Sequence, residues 1–446
     1  MNSITATCCH SGLLAGGVYL LAQTAGSITV TAEQEPEPAA WNWHAQATGV
    51  WEGHTRFTSP YSGPRSLQSV NEGRETLSLD LTGGVRLWSG ASAFGDALVW
   101  QGYGLANSSG IEAFPNGEAF RLGSSTPNVT LSRLFLRQSI GLGGAREVAE
   151  DSTLQLAEGR DVSRLTFQAG KFSAKDVFDN NTYANDPRTQ FLNWSLMANN
   201  AWDYPADALG YITGATAELN QPDWAVRYGF FQTPRRSNGM SLDLAVTRAW
   251  AMASEVEWRY LKGERPGAVR LLAYLNRANM GSYSESLAAG TVPADVTLSR
   301  RYREHYGFGL NWEQALTASL GVFARLGWSD GSTEAWHFND VDRTVTGGLS
   351  LQGGAWGRPL DTVGLGGGFN GASRAHADYF AAGGSGILAG DGALRFGWEQ
   401  FFETYYRLVL SHGLSASVHY EFVTNPAFNR DRGPVHVFGI RVHFEL

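Results

Sequence analysis

Glu255 and Glu257 stand two residues apart, and Arg259 follows after the same interval. In an extended chain, residues at i, i+2 and i+4 share one face. Paired carboxylates can serve as general acid and base. Here they alternate with Val256 and Trp258, and they read more simply as a charged wall facing water. Gly366, Gly368 and Gly371 match G-x-G-x-x-G. No helix pattern follows them, so nothing would present a helix N-terminus to a pyrophosphate. His419, His436 and His443 do not converge: His443 falls on the polar face of its strand and His436 on the opposite parity, which argues against a metal site. The chain contains no H-E-x-x-H, no P-loop and no G-x-S-x-G. It therefore carries no recognisable enzyme motif, and no cofactor is expected.

The remaining chemistry is recognition. Arg86, Arg133, Arg137, Arg164, Arg227, Arg270, Arg303, Arg325, Arg407 and Arg441 all fall at polar positions of alternating segments, as do Glu52, Glu255, Glu257, Glu313, Glu403 and Glu421. Guanidinium and carboxylate groups donate to and accept from sugar hydroxyls. A wall bearing both signs has no strong single-sign field and favours neutral polar solutes over one type of ion. The same mixture also simply keeps a lumen wet.

Strands must position these groups. The last residues show this most clearly: Phe438, Ile440, Val442, Phe444 and Leu446 share one face, and Gly439, Arg441, His443 and Glu445 the other. The pattern matches the closing strand of a transmembrane barrel, apolar toward lipid and polar toward the lumen. Similar alternation recurs at Leu77–Leu87, Leu165–Ala169, Trp224–Phe230, Val269–Leu275, Tyr306–Trp312, Ala318–Trp328 and Leu414–Phe422. Counting such segments predicts about 16 strands. Long connections are expected at Pro60–Gly73, Asn107–Pro127, Phe172–Ala208, Gly281–Arg300 and Ala372–Leu394, with short turns between other neighbours, as at Gly263–Gly267. Long loops on one rim and short turns on the other describe an outer-membrane barrel.

Composition agrees. Gly (54), Trp (15), Tyr (16) and Phe (23) are plentiful and charged residues make up 17%, as expected of tight turns and aromatic girdles. The net charge of −8 excludes a nucleic-acid footprint. The apolar run Ser11–Ala22 suits the core of a signal peptide, with cleavage expected after Ala32. Basic residues are absent before Arg56, so the usual positive flank is missing. Cys8 and Cys9 are the only cysteines, and removal of this segment leaves none for a disulfide framework. The expected organisation is a signal peptide over 1–32, a short linker over 33–40 and a barrel over 41–446.

The segment from Phe172 to Asp207 is too polar and aromatic for a strand and too long for a turn. A long ordered loop in a compact fold is usually functional, and it is expected to fold inward and narrow the pore, an ordered outside lid or a plug being the alternative. Its run Tyr183–Trp194 and the following Ala201-Trp-Asp-Tyr-Pro-Ala-Asp207 resemble the carbohydrate-selective porin family (OprB-like). Further blocks fit in order: Leu219–Trp224, Val322–Trp328, Gly357–Asp361, Gly390–Gly392, Glu403–Arg407 and His419–Pro426. The resemblance spans most of the chain from about Trp51. The chain departs from the family pattern at Leu446, where an aromatic is usual. The resemblance implies a barrel of about 16 strands in the outer membrane of a Gram-negative bacterium, passing small neutral carbohydrates passively. Outer-membrane lipid and those sugars are the expected partners.

Candidate pore-lining residues are Arg133 and Arg137, on one face either side of Phe135, with Tyr183, Asn185, Arg188, Gln190, Asn193, Trp194 and Trp202 from the long loop and Glu403 and Arg407 from a late strand. A general-diffusion porin, a barrel enzyme acting on lipid or polysaccharide, and a structural or adhesive barrel are the alternatives.

Overall fold

The computed structural model describes residues 37–338 and 340–446. The expected signal peptide and the first half of the linker, residues 33–36, lie outside the described residues. Eighteen strands follow in order: β1 (Trp41–His54), β2 (Glu72–Trp88), β3 (Ala91–Gly102), β4 (Ser124–Gly141), β5 (Arg146–Ala149), β6 (Glu158–Asp161), β7 (Arg164–Phe172), β8 (Ile212–Asn220), β9 (Trp224–Phe231), β10 (Trp250–Lys262), β11 (Arg265–Met280), β12 (Arg301–Ala315), β13 (Leu320–Ser329), β14 (Arg343–Gly353), β15 (Arg358–Gly371), β16 (Glu399–Ser411), β17 (Leu414–Thr424) and β18 (Val435–Glu445). Three short helices, α1 (Trp194–Met197), α2 (Tyr283–Ala288) and α3 (Arg374–Ala381), lie in the connections.

Sixteen strands close an antiparallel barrel, with β5 and β6 forming a separate hairpin. The terminal strands seal it: Gln46 pairs with Glu445 and His54 with Val437. Closure removes every sheet edge, which a membrane span requires because lipid cannot satisfy free backbone groups. The alternation then acquires its meaning. On β2, Leu77, Leu79 and Leu81 are exposed to the lipid side while Thr76, Ser78, Asp80 and Thr82 are buried inside. On β18, Ile440 and Val442 are exposed while Arg441 and His443 are buried, matching the expected parity. Exposed tryptophans mark both boundaries: Trp41, Trp43, Trp88, Trp224 and Trp258 near one rim, Trp51, Trp328 and Trp398 near the other. Indole suits the interface because it is apolar in body and polar at its N–H.

The two rims differ. The rim that gathers both barrel termini has turns as short as Ser89-Gly90, Gly263-Glu264 and His412-Gly413. Gly90 and Gly413 both sit at φ +73°, a conformation that costs a side-chain-bearing residue strain. The opposite rim carries residues 55–71, 103–123, 173–211, 232–249, 281–300, 330–342, 372–398 and 425–434. One connection breaks the expected rule. Residues 142–163 are long yet belong to the short-turn rim, where they hold β5 and β6. This hairpin folds back into the mouth: Leu156 is buried against the cluster containing Phe94 and Phe135, and Arg137 donates to the Leu154 carbonyl at 2.7 Å.

A bulge in β4 sets its functional face. The β3–β4 register shifts between Asp96 and Ala97, leaving Ser132 as the extra residue. Val129 and Leu131 face lipid before it, Leu134 and Leu136 after it. The outward parity therefore switches from odd to even, and Arg133, Phe135 and Arg137 turn inward together.

Candidate functional site

The 173–211 segment folds into the barrel and is tied there by inward-facing polar side chains. Asp179 accepts from Arg325 Nε at 3.0 Å and from Asn311 Nδ2 at 2.7 Å. The Thr182 N–H donates to Glu313 at 2.7 Å. The Leu192 and Asn193 N–H groups both donate to Glu403 at 2.9 Å. Asn370 Nδ2 donates to Ser195 Oγ at 2.9 Å, and Tyr274 Oη donates to the Ala201 carbonyl, also at 2.9 Å. A loop buried at membrane depth must find partners for its backbone groups, and the charged wall supplies them. Burial alone would raise the Asp179 carboxyl, but Arg325 and Lys175 hold it down at about 2.

Two more loops join it. Glu399 accepts from the Glu112 and Ala113 N–H groups at 3.0 and 2.6 Å, drawing 103–123 inward. Asp203 accepts from the Trp336 and His337 N–H groups at 3.0 and 2.8 Å, anchoring 330–342. The lumen is thus divided into three spaces. An outer cavity of about 670 Å³ is lined by Arg65, Arg121, Tyr283, Arg300, Glu334 and Tyr379 among others. An inner cavity of about 440 Å³ is lined by Arg133, Lys175, Arg188, Trp194, Tyr204, Tyr211 and Phe338 among others, and reaches Gln46 and Glu445 at the short-turn rim. Residues 117–120 and Phe338 border the inner cavity and Arg121, Leu122, Glu334, Ala335 and Asp340 the outer one, so the two spaces approach each other at these segments, here called the neck.

The inner cavity combines bridged charges with aromatic faces. Arg133 pairs with Asp96 at 2.7 Å and Asp176 at 2.8 Å. Arg188 pairs with Asp80 at 2.7 Å and Glu118 at 3.0 Å. Burial would lower the Arg188 guanidinium, but Glu118 and Asp80 outweigh it and raise it above its ordinary value, so it stays cationic. Lys175 donates to Asp179 at 3.2 Å and to Asn185 at 3.1 Å. Its burial lowers the ammonium to about 8. Beside these groups, Phe338 lies 4.6 Å from Trp194 with planes 6° apart and 5.1 Å from Tyr204 at 16°. Trp194 and Tyr204 are themselves 5.9 Å apart. Those distances form a triangle, not a column. Arg133 lies over the Tyr211 ring at 5.1 Å, a geometry that favours cation–π attraction.

The candidates therefore divide. Arg133, Asn185, Arg188 and Trp194 line the inner cavity. Arg137 faces inward but is spent on Gln168 and the Leu154 carbonyl, beneath the hairpin. Tyr183, Gln190 and Arg407 line a third space, a bay of about 70 Å³ behind the loop. Three candidates are corrected, because each is buried as a brace and borders none of these spaces. Asn193 caps α1 by accepting from the Ser195 N–H and donates to Glu421. Trp202 is 1% exposed and packs edge-on against Phe178. Glu403 is consumed by two backbone N–H groups and His419. Their residue types suit a sugar site, but the loop uses them to hold itself. Phe338, Asp80 and Glu118 escaped the sequence reading. Phe338 lies in a loop without periodicity, and Asp80 reads as one more polar position of β2. No group of three or more His, Cys, Asp or Glu able to hold a metal occurs among the described residues.

Comparison with known proteins places this architecture. OprB of Pseudomonas putida superposes with a TM-score of 0.68 at 16% identity, covering 91% of this chain and 94% of that one. DcaP of Acinetobacter baumannii superposes at 0.50 with 10% identity, covering 91% and 97%. OmpF of Salmonella typhi does so at 0.50 with 9% identity, again covering 91% and 97%. At such identities these establish the fold. No curated protein matches the chain by sequence. The family profile of carbohydrate-selective porins, however, matches residues 65–446. With a closed sixteen-stranded barrel, inward-folded loops and a polar, aromatic lumen, the chain belongs to the carbohydrate-selective porin, OprB family, whose members are outer-membrane sugar channels.

Proposed function

We propose that the protein passes small neutral carbohydrates passively, and that the inner cavity just below the neck confers its preference. The observation that carries this reading is the shared lining: Trp194, Phe338 and Tyr204 bound the same space as the Arg133 and Arg188 clusters. A pyranose has an apolar face and a hydroxyl rim. Aromatic rings cover the face, and fixed donors and acceptors replace water at the rim. Every guanidinium in this set is already bridged by carboxylates, so the site offers hydrogen bonds without a strong net field. Weak, multi-point contact lets a solute both enter and leave. No step requires a covalent intermediate or a bound cofactor.

Single-channel recording tests the reading. Glucose should block the ion current measurably more than a hydroxyl-poor solute of equal size. Liposome swelling that ranks solutes by size alone would instead favour general diffusion. We also infer that residues 1–32 are an export leader, which N-terminal sequencing of the membrane-inserted protein checks.

A further inference from the structure

The bay behind the loop is separate from the permeation path. It lies between loop residues 182–190 and the inner wall of β12 to β16, and it opens beside residues 315–321 at the short-turn rim. That rim faces the periplasm in an outer-membrane barrel. Next to Gln190 in the loop, Phe191 packs edge-on against Tyr405 at 4.9 Å and against Phe323 at 5.5 Å. The inner cavity uses the opposite flank of the same loop segment, through Asn185 to Arg188.

Arg407 is the one charged residue among those that line the bay. Tyr405 is 2% exposed, and its hydroxyl has only the Ser350 hydroxyl beside it, outside good hydrogen-bonding geometry. A buried hydroxyl left unpaired is costly, and a ligand would remove that cost. Arg407 spends only Nε, donated to Ser415 at 3.2 Å. Among the described residues no carboxylate lies within ion-pair distance of it, unlike Arg133 and Arg188. Glu445 at the rim feels its charge only from farther away. Arg441 on β18 is a second inward guanidinium, buried, with its Nη1 held by the Pro187 and Gln190 carbonyls. Gln352 and Ser350 complete the polar lining, and the Tyr183 ring forms one wall. A Cβ at residue 321 would meet that ring at 2.0 Å, so Gly321 is what leaves room for it.

From this arrangement we propose that the bay is a periplasm-facing site for the carboxylate end of a sugar acid, an aldonate or uronate. A carboxylate has the acceptors that the terminal Arg407 nitrogens lack and a stronger acceptor than Ser350 for the Tyr405 hydroxyl, and guanidinium binds it through two parallel hydrogen bonds. The adjoining carbinol groups would meet Gln352 and the face of Tyr183. The carboxylate end would sit against Arg407, with the rest of the ligand projecting toward the periplasm. The proposal stands independently of the neck.

Isothermal titration of the detergent-solubilised full chain with D-gluconate and with D-glucose tests it. Gluconate should bind more tightly than glucose. Arg407→Gln should weaken gluconate at least tenfold and Tyr405→Phe about three- to tenfold, while Tyr405→Phe leaves glucose block of the ion current unchanged. If Arg407→Gln does not fold, Tyr405→Phe and Gln352→Ala decide the matter. Absence of gluconate binding, equal affinity for glucose, or native-like gluconate binding in the folded variants would overturn the proposal. Failure of the neck reading registers separately, as absent glucose block in the native channel.

Discussion

Arg325 on β13 and Asp179 in the inward loop are joined at 3.0 Å, both almost fully buried inside the barrel. Arg325 also donates to the Leu196 and Ala184 carbonyls at 2.6 and 2.8 Å. A single wall residue thus fastens three points of the loop. Breaking a buried pair by removing one partner costs about 3–5 kcal/mol, because the other charge stays buried. Arg325→Met should therefore release the loop, raise single-channel conductance and erode glucose block. Unchanged conductance in a folded variant would remove the loop from the constriction. The acid side follows from the Asp179 carboxyl, held at about 2 against an ordinary 3.8. A depressed carboxyl contributes stability that is complete above the ordinary value and is lost as pH falls through the depressed one. The tether should accordingly hold at pH 4 and weaken only as pH approaches 2, read as a conductance increase confined to strong acid.

Trp194 and Phe338 provide the second test. Aromatic contacts of this kind contribute about 0.5–1.5 kcal/mol beyond area burial. Trp194→Ala should weaken glucose block roughly three- to tenfold, as should Phe338→Ala. Trp202→Ala should act differently, lowering stability without a selective effect on sugar, because Trp202 is core. Thermal denaturation and current block measured on all three variants separate the two roles.

Lys175 makes the inner cavity sensitive to alkali. Burial lowers its ammonium to about 8, so raising pH from 7 to 9 removes one positive charge from the lining. The reversal potential in a salt gradient should shift toward cation preference across that interval. Lys175→Gln should flatten the shift, and a shift that survives in this variant would assign it to another group.

The lipid face can be probed by charge. Leu271 lies mid-strand on β11 and is 57% exposed. Leu271→Arg should cost about 2–4 kcal/mol in denaturant titration from lipid. Val322 is also on the outward face but stands only three residues from the 316–319 turn, and charge at that depth should cost about 0–1 kcal/mol. Equal costs at the two positions would contradict this difference in membrane depth. Cysteines at Ile440 and Val442 should resist an impermeant thiol reagent, while one at Glu445, exposed on the same strand where the inner cavity reaches the rim, should react.

Sequence alone determined the class of wall. A period of two with a greasy and a polar face has few stable solutions at this length, and closure in lipid is the one that leaves no backbone group unpaired. Strand number and the parity of β18 followed from that local pattern, and the inward course of 173–211 from the length and the polar, aromatic make-up of that segment. Sequence could not apportion the inward polar groups, because Glu403, Asn193 and Arg133 look alike at polar positions. Only the tertiary structure decided that Glu403 binds loop backbone, that Arg133 faces the cavity through a bulge at Ser132, and that Tyr183 and Arg407 meet in a bay of their own. It also brought Phe338 to Trp194 from a loop more than a hundred residues away. Alternation is a property of neighbours along one strand, whereas the partner of each buried charge is chosen across the barrel by where three loops come to rest.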